Sequence, residues 1–207
     1  MRKLVTAAFV SLDGVMQAPG GPQEDPSGGF KFGGWTFPYR DETTGAFVGG
    51  HFDHPFALVL GRKTYDIFAG YWPTVKTEPG TRMAHIARTF NDGIKYVATQ
   101  TPQTLAWKNS EWLGEDVVAR IRELKSQDGP RLLTQGSGDL IQTLLAADLI
   151  DEFRLLTYPV LLGKGKKLFA GGTIPAGLKL TKSVVSASGV IGAEYVRDGA
   201  VKTGSYV

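Results

Sequence analysis

Cysteine is missing altogether from the 207 residues of the chain. That absence excludes disulfides, thiolate metal sites and cysteine nucleophiles, and it fits a cytoplasmic protein. Charge of one sign is also scarce: 23 Lys and Arg against 20 Asp and Glu leave a formal net charge of +3. The basic residues are scattered rather than blocked, so nucleic acid is not implied as a partner, while small anionic ligands remain compatible. No apolar run approaches the length of a membrane-spanning helix. The first run, Leu4 to Val10, is ended by Ser11-Leu12-Asp13-Gly14 and is too short for a secretory leader, so it reads as a central strand. Internal repeats, low-complexity tails and interdomain linkers are likewise lacking, and a single domain over 1–207 is expected.

What the chain does contain is ordinary for a globular fold, with 42% hydrophobic and 21% charged residues. Apolar runs and alternation predict strands at Leu4–Ser11, Ala57–Leu60, Lys95–Thr99, Arg131–Thr134, Glu152–Pro159, Leu178–Val185 and Val190–Val196. Helices are expected at Asp41–Gly50, Lys63–Phe68, Glu115–Lys125 and Asp139–Ala147. Strand and helix alternate early, which argues an α/β fold with a parallel sheet. The late strands follow one another, with a hairpin turn at Ser186–Gly189, which adds an antiparallel edge. Gln17 to Gly34 is a Gly/Pro-rich loop, long enough to be functional or mobile, and Glu78–Arg82 and Lys164–Gly172 are expected as further loops.

Two strand-to-helix turns carry chemistry. After Ala57-Leu58-Val59-Leu60, Gly61 permits a tight turn, and the helix that follows offers free N–H groups with Arg62 and Thr64 beside them. That combination attracts phosphate, although such turns with a surface Arg are also common without a ligand. After Arg131-Leu132-Leu133-Thr134, Gly136 and Gly138 allow close backbone approach and Ser137 adds a hydroxyl, with Asp139 and Leu140 opening a helix. This is not the dinucleotide fingerprint, because Ile141 stands where a third glycine belongs. A plain turn with Asp139 favouring the helix end accounts for the segment equally well.

In order along the chain, Phe9-Val10-Ser11-Leu12-Asp13-Gly14, Gly61-Arg62-Lys63-Thr64-Tyr65, Lys95-Tyr96-Val97-Ala98-Thr99, Gly136-Ser137-Gly138-Asp139-Leu140, Leu149-Ile150-Asp151-Glu152-Phe153 and Pro159 through Phe169 resemble the dihydrofolate-reductase-like superfamily. The chain is most similar to stand-alone relatives of the reductase domain of the riboflavin-biosynthesis deaminase-reductase. The resemblance implies a mixed, mostly parallel sheet flanked by helices, with antiparallel C-terminal strands. It also implies NADPH across the strand ends. Gly61, Arg62 and Thr64 would meet cofactor phosphates, and Thr99, Gln100 and Thr101 the adenosine 2′-phosphate. Gly136, Ser137, Gly138, Asp139 and Leu140 would cradle the pyrophosphate. Ala7 and Ala8 would line the nicotinamide pocket, where tight sheet packing is the alternative reading. A homodimer is implied too. The zinc deaminase chemistry of the bifunctional enzyme is excluded, since its metal site needs cysteines.

The reductase reading needs a proton source. Dihydrofolate reductases carry a buried acid on the helix after a Trp-x-x-Pro segment. Here Trp35-Thr36-Phe37-Pro38 is followed by Tyr39-Arg40-Asp41, and the acid position in register falls on Arg40. Asp41 is one residue off, a turn of about 100° on a helix, and its alternative role is to favour a helix N-terminus. Asp13 is the other candidate carboxylate, or else it shapes the Asp13-Gly14 turn. Trp35 and Tyr39 are candidate walls for a flat substrate, with Pro159 beside them; core packing and a strand end are their alternatives. His51-Phe52-Asp53-His54 lacks a third ligand motif and reads as solvated loop, so no metal is expected. Three functions stay open: an NADPH-dependent reductase of a pterin-like or pyrimidine-like substrate, dihydrofolate reductase proper, and a non-catalytic nucleotide-binding protein.

Overall fold

Burial on both faces of its first strand organises the molecule. The structure is a computed structural model that describes residues 1–100, 105–171 and 173–206. In strand β1 (Leu4–Ser11), Leu4, Ala8 and Val10 join one apolar cluster and Val5 and Ala7 another. A strand buried on both faces belongs at the centre of a sheet covered by helices on both sides. The other strands are β2 (Phe56–Gly61), β3 (Lys95–Ala98), β4 (Ser110–Trp112), β5 (Arg131–Gln135), β6 (Glu152–Tyr158), β7 (Leu178–Val185) and β8 (Ile191–Arg197). They lie in the order β4-β3-β2-β5-β1-β6-β8-β7. Neighbours run parallel from β4 to β6, and β8 and β7 join antiparallel. The expected mixed sheet, mostly parallel with antiparallel C-terminal strands, is present.

Helices α1 (Glu42–Gly50), α2 (Arg62–Tyr71) and α3 (Arg82–Asp92) contribute Val48, Tyr65, Phe68, Ile86 and Phe90 to the cluster under Val5 and Ala7. Helices α4 (Val117–Ser126) and α5 (Gly138–Ala146) cover the opposite face through Ile121, Leu124, Leu140, Ile141 and Leu144. Phe90 is fully buried and touches the rings of Phe52, Phe56, Phe68 and Trp72. Burying a side chain of that size contributes about 1.5–3 kcal/mol.

Helix α3 and strand β4 lie where no element is expected from the sequence. Thr81 caps α3 by accepting from Ala84 N at 3.2 Å. Its stripe of Met83, Ile86, Ala87 and Phe90 has helical spacing. Other element ends differ from the expected ones by one or two residues, the ordinary uncertainty of element ends, except that α2 runs three residues past Phe68 to Tyr71. The Ser186–Gly189 hairpin forms, with Gly189 N donating to Ser186 O at 3.0 Å.

One feature of the sheet positions the site. Strand β1 pairs with β5 only as far as Ala7 opposite Gln135, but continues beside β6 to Ser11 opposite Tyr158. After Gln135 the chain turns away into α5, and the sheet opens beside β1 at the carboxyl ends of β2 and β5. Ligands of open α/β sheets sit at such openings.

Candidate functional site

The two glycine turns are laced together at that opening. Ser137 Oγ accepts from Gly61 N at 2.9 Å, and Ser137 N donates to Thr64 Oγ1 at 2.9 Å. This locks the start of α2 against the start of α5. Gly136 and Ser137 both take left-handed backbone, with φ of +68° and +63°. Glycine does so freely, whereas Ser137 does so at a cost that neighbouring contacts must hold in place. Helices α1, α3 and α4 each have a side-chain cap, from Asp41, Thr81 and Asp116; α2 and α5 have none. The N-terminal N–H groups of the two helices that meet here are thus left without a capping side chain.

Above them lies a cleft of about 1450 Å³. Ala7, Ala8, Gly61, Arg62, Thr64, Thr99, Gln100, Gly136, Ser137, Gly138, Asp139 and Leu140 all line it, so every expected cofactor residue that the structure describes comes together. Thr101 lies outside the described residues. Among the described residues, seven buried side-chain polar atoms lack a hydrogen-bond partner. Four of the seven belong to residues lining this cleft: His51 Nε2, Arg62 Nη1, Trp72 Nε1 and Gln135 Oε1. An unpaired buried polar atom costs about 1–3 kcal/mol, and these four gather around the cleft. Arg62 is partly engaged, because its Nε donates to both carboxylate oxygens of Asp66 at 2.9 and 3.0 Å.

The Gly/Pro-rich loop folds across the cleft as a strap. Gln17 ties its base, with Nε2 donating to Asp25 O at 2.9 Å and Ser27 O at 3.0 Å, and Oε1 accepting from Lys166 N at 3.0 Å. The buried Asp25 carboxylate accepts from Lys63, from Lys166 at 3.0 Å and from Ser27 Oγ at 2.5 Å. Burial opposes ionisation there, yet the two lysines and Ser27 outweigh it and hold the carboxyl well below the usual range. The neighbouring Glu24 also lines the cleft. Its Oε2 accepts from Gly20 N at 2.6 Å and Gly21 N at 3.2 Å, and burial raises its pKa above the ordinary value despite those bonds. Neither carboxylate is singled out by sequence, since the loop gives no periodicity to say which side chains turn inward.

The other expected site residues sit elsewhere. Asp41 is the N-cap of α1, with Oδ1 accepting from Thr44 N at 2.8 Å and Oδ2 from Ser188 Oγ at 3.0 Å. Those bonds hold its pKa low, led by the Thr44 N–H, so the carboxyl is ill suited to donate a proton, and the cleft lining does not include it. Asp13 accepts from Ser11 Oγ at 2.6 Å and from Gly163 N at 2.7 Å. It latches the end of β1 to the loop after β6, and the Ser11 hydroxyl lowers its pKa first among the causes. Trp35 and Tyr39 meet Tyr158 edge to face at 5.2 and 5.8 Å, in a separate apolar cluster. Trp35 Nε1 donates to Gln17 O at 2.8 Å, so its ring supports the strap from behind. Pro159 is exposed and lies against Gly189 of the hairpin. His51 is not a solvated loop residue: it is 2% exposed and lines the cleft, whereas His54 is exposed. Among the described residues no three His, Cys, Asp or Glu cluster as a metal site.

The family model of the RibD C-terminal domain matches residues 2–191. The uncharacterized protein YyaP of Bacillus subtilis (strain 168) is 26% identical over 194 residues, covering 92% of each chain. A Shewanella sp. PV-4 structure provisionally assigned to riboflavin biosynthesis superposes with a TM-score of 0.59 at 20% identity, over 95% of this chain and 99% of that one. Dihydrofolate reductase from Enterococcus faecalis, complexed with NADP(H) and RAB-propyl, superposes with a TM-score of 0.57 at 14% identity, over 95% and 96%. At these identities the two structures speak for the fold alone. Among the described residues, no helix is long and apolar enough to cross a membrane.

Proposed function

Because the chain belongs to the RibD C-terminal domain family, we propose that it is an NADPH-dependent reductase that transfers a hydride to a small heterocyclic, pterin-like or pyrimidine-like substrate. The observation that carries this reading is the cleft itself, where two uncapped helix N-termini converge beside the unpaired Arg62 Nη1. Backbone N–H groups and a guanidinium are the donors that suit a pyrophosphate with a further phosphate. When bound, the cofactor would supply the hydride. The chain's own residues bind and orient. Ala7 and Ala8 leave room for a flat ring, and the strap, held by Asp25, Lys63 and Lys166, excludes water from one side. The proton is assigned to Glu24 rather than Asp41, since its Oε2 is occupied by backbone donors and its Oε1 is left to carry a proton inside the cleft. Dihydrofolate reductase activity proper is the weaker reading, because Asp41 is committed to capping α1. We also place the protein in the cytoplasm as a homodimer, in keeping with the lack of cysteine and an apolar sheet edge.

Calorimetry tests the cofactor. NADPH should bind more tightly than NADH, since one charge-assisted hydrogen bond is worth about 1.5–3 kcal/mol, or about ten- to hundredfold. Arg62→Ala should shrink the gap. Equal binding of both cofactors would remove the Arg62 assignment, and binding of neither would remove the reductase reading.

A further inference from the structure

We propose that His51 is a specificity-determining residue at the inner end of the cleft, where its ring takes the carbonyl-bearing edge of a cyclic lactam or imide in preference to an amidine edge. The inference rests on the reductase reading and narrows its substrate class.

His51 follows Gly50 at the end of α1, with its ring edge-on to Phe47 at 5.1 Å and Phe52 at 6.2 Å. It is 2% exposed, it lines the cleft, and its Nε2 has no hydrogen-bond partner. Aromatic packing fixes the ring and leaves that nitrogen unsatisfied. The charged groups acting on the ring are all cations and come from three strands: Arg131 of β5, Arg154 of β6 and Lys182 of β7. Arg154 is paired with Glu152 at 2.6 Å and Lys182 lies 3.7 Å from Glu194. Arg131 has no ion pair among the described residues; its Nη2 donates to His51 O at 2.6 Å, and Glu152, Glu194 and Asp53 are the acids that act on it. Burial first, and these cations next, bring the imidazole pKa down to about 3, so a ligand meets a neutral ring at neutral pH.

This field decides between ligand edges. A positively charged or strongly donating amidine edge is repelled by three cations, whereas a carbonyl oxygen or ionised imide is attracted. A carbonyl that accepts from Nε2–H fixes that tautomer and satisfies the orphan atom. Gln135 lines the same cleft, its Oε1 is likewise unpaired, and that oxygen suits the ring N–H that neighbours a lactam carbonyl.

Two pteridines of the same skeleton and opposite edges separate the cases: lumazine, a 2,4-dione, and 2,4-diaminopteridine. Calorimetry with NADP+ alone comes first, then each pteridine with NADP+ present. The expected result is tighter binding of lumazine by about tenfold or more, in line with a buried hydrogen bond and a repelled cationic edge. His51→Leu should abolish that preference and leave NADP+ binding unchanged, and His51→Gln, which keeps a donor, should retain part of it. Addition of lumazine should also shift the His51 Nε2 resonance in the 15N NMR spectrum of the wild type, a readout independent of whether His51→Leu folds. Equal or tighter binding of the diamino compound, binding of neither pteridine beside bound NADP+, a preference that survives in folded His51→Leu, or an unmoved Nε2 resonance would each overturn the proposal while sparing the reductase reading. Absence of NADP+ binding would remove both.

Discussion

Arg62 illustrates how a residue can be legible in type and not in state. Its place after a strand and a glycine marks it as an anion donor, because strand, turn and helix start are local. Its pairing with Asp66 one turn on is local too, yet only the folded rotamer shows that Nε is engaged while Nη1 is not. Asp66 competes with a phosphate for the same guanidinium, since it holds Nε and lines the cleft as a negative charge. Asp66→Asn should therefore tighten NADPH binding about 1.4- to fivefold, the range that exposed ion pairs of about 0.2–1 kcal/mol support. NADH, without the additional phosphate, should gain little. Titrations of both cofactors against the variant check this; an equal gain for the two, or none for NADPH, would show that Arg62 serves another group. Asp41 shows the opposite failure. One residue of register separates an inward acid from a helix cap, and sequence spacing alone does not resolve that rotation. His51 was hidden because nothing in His51-Phe52-Asp53-His54 says that one histidine is enclosed by rings and the other is in water.

At the scale of elements, strands and helices are readable where a period runs long enough. Strand β1 is read to the residue, and α4 and α5 emerge from their apolar spacing. The stripe of α3 is present in the sequence directly after the loop expected at Glu78–Arg82, whereas β4 is a three-residue edge too short to carry a period. The strap is different in kind. Its fastening joins Asp25 to Lys63, 38 residues away, and to Lys166, 141 residues away. No local pattern encodes those pairings. They make a checkable claim about the strap as a unit: Asp25→Asn should raise amide hydrogen exchange across residues 17 to 30 while the central strands stay protected. The pH sense follows from the carboxyl being held below its ordinary value of 3.8. The clamp is complete above about pH 4 and weakens as pH falls further, because protonation then competes with the two lysines. A protection factor of the strap, taken against the intrinsic exchange rate at each pH, that is the same in the variant, or that falls toward neutral pH in the wild type, would show that the clamp does not hold it.

For the whole molecule, the sheet has two edges and treats them differently. At one edge β4 is three residues long and its Trp112 Nε1 donates to Thr99 O at 3.1 Å, folding a ring over the end of the neighbouring strand. The other edge, β7, is eight residues long and pairs only with β8. Leu178, Leu180 and Val185 of β7 and Ile191 of β8 are 41, 49, 72 and 47% exposed, an apolar surface that water covers poorly. Lys179 and Lys182 interrupt the same strand, and edge lysines disfavour open-ended strand addition. A closed, two-fold contact between copies would reconcile the two features: it would cover the apolar residues once and leave no edge to propagate. Light scattering at micromolar concentration should give twice the 22.3 kDa chain mass. Leu180→Glu, which places one carboxylate from each copy in the contact, should shift the population toward monomer while the circular dichroism spectrum stays native. A monomeric wild type would leave the apolar edge without this explanation, and a Leu180→Glu variant as dimeric as wild type would move the contact to another face.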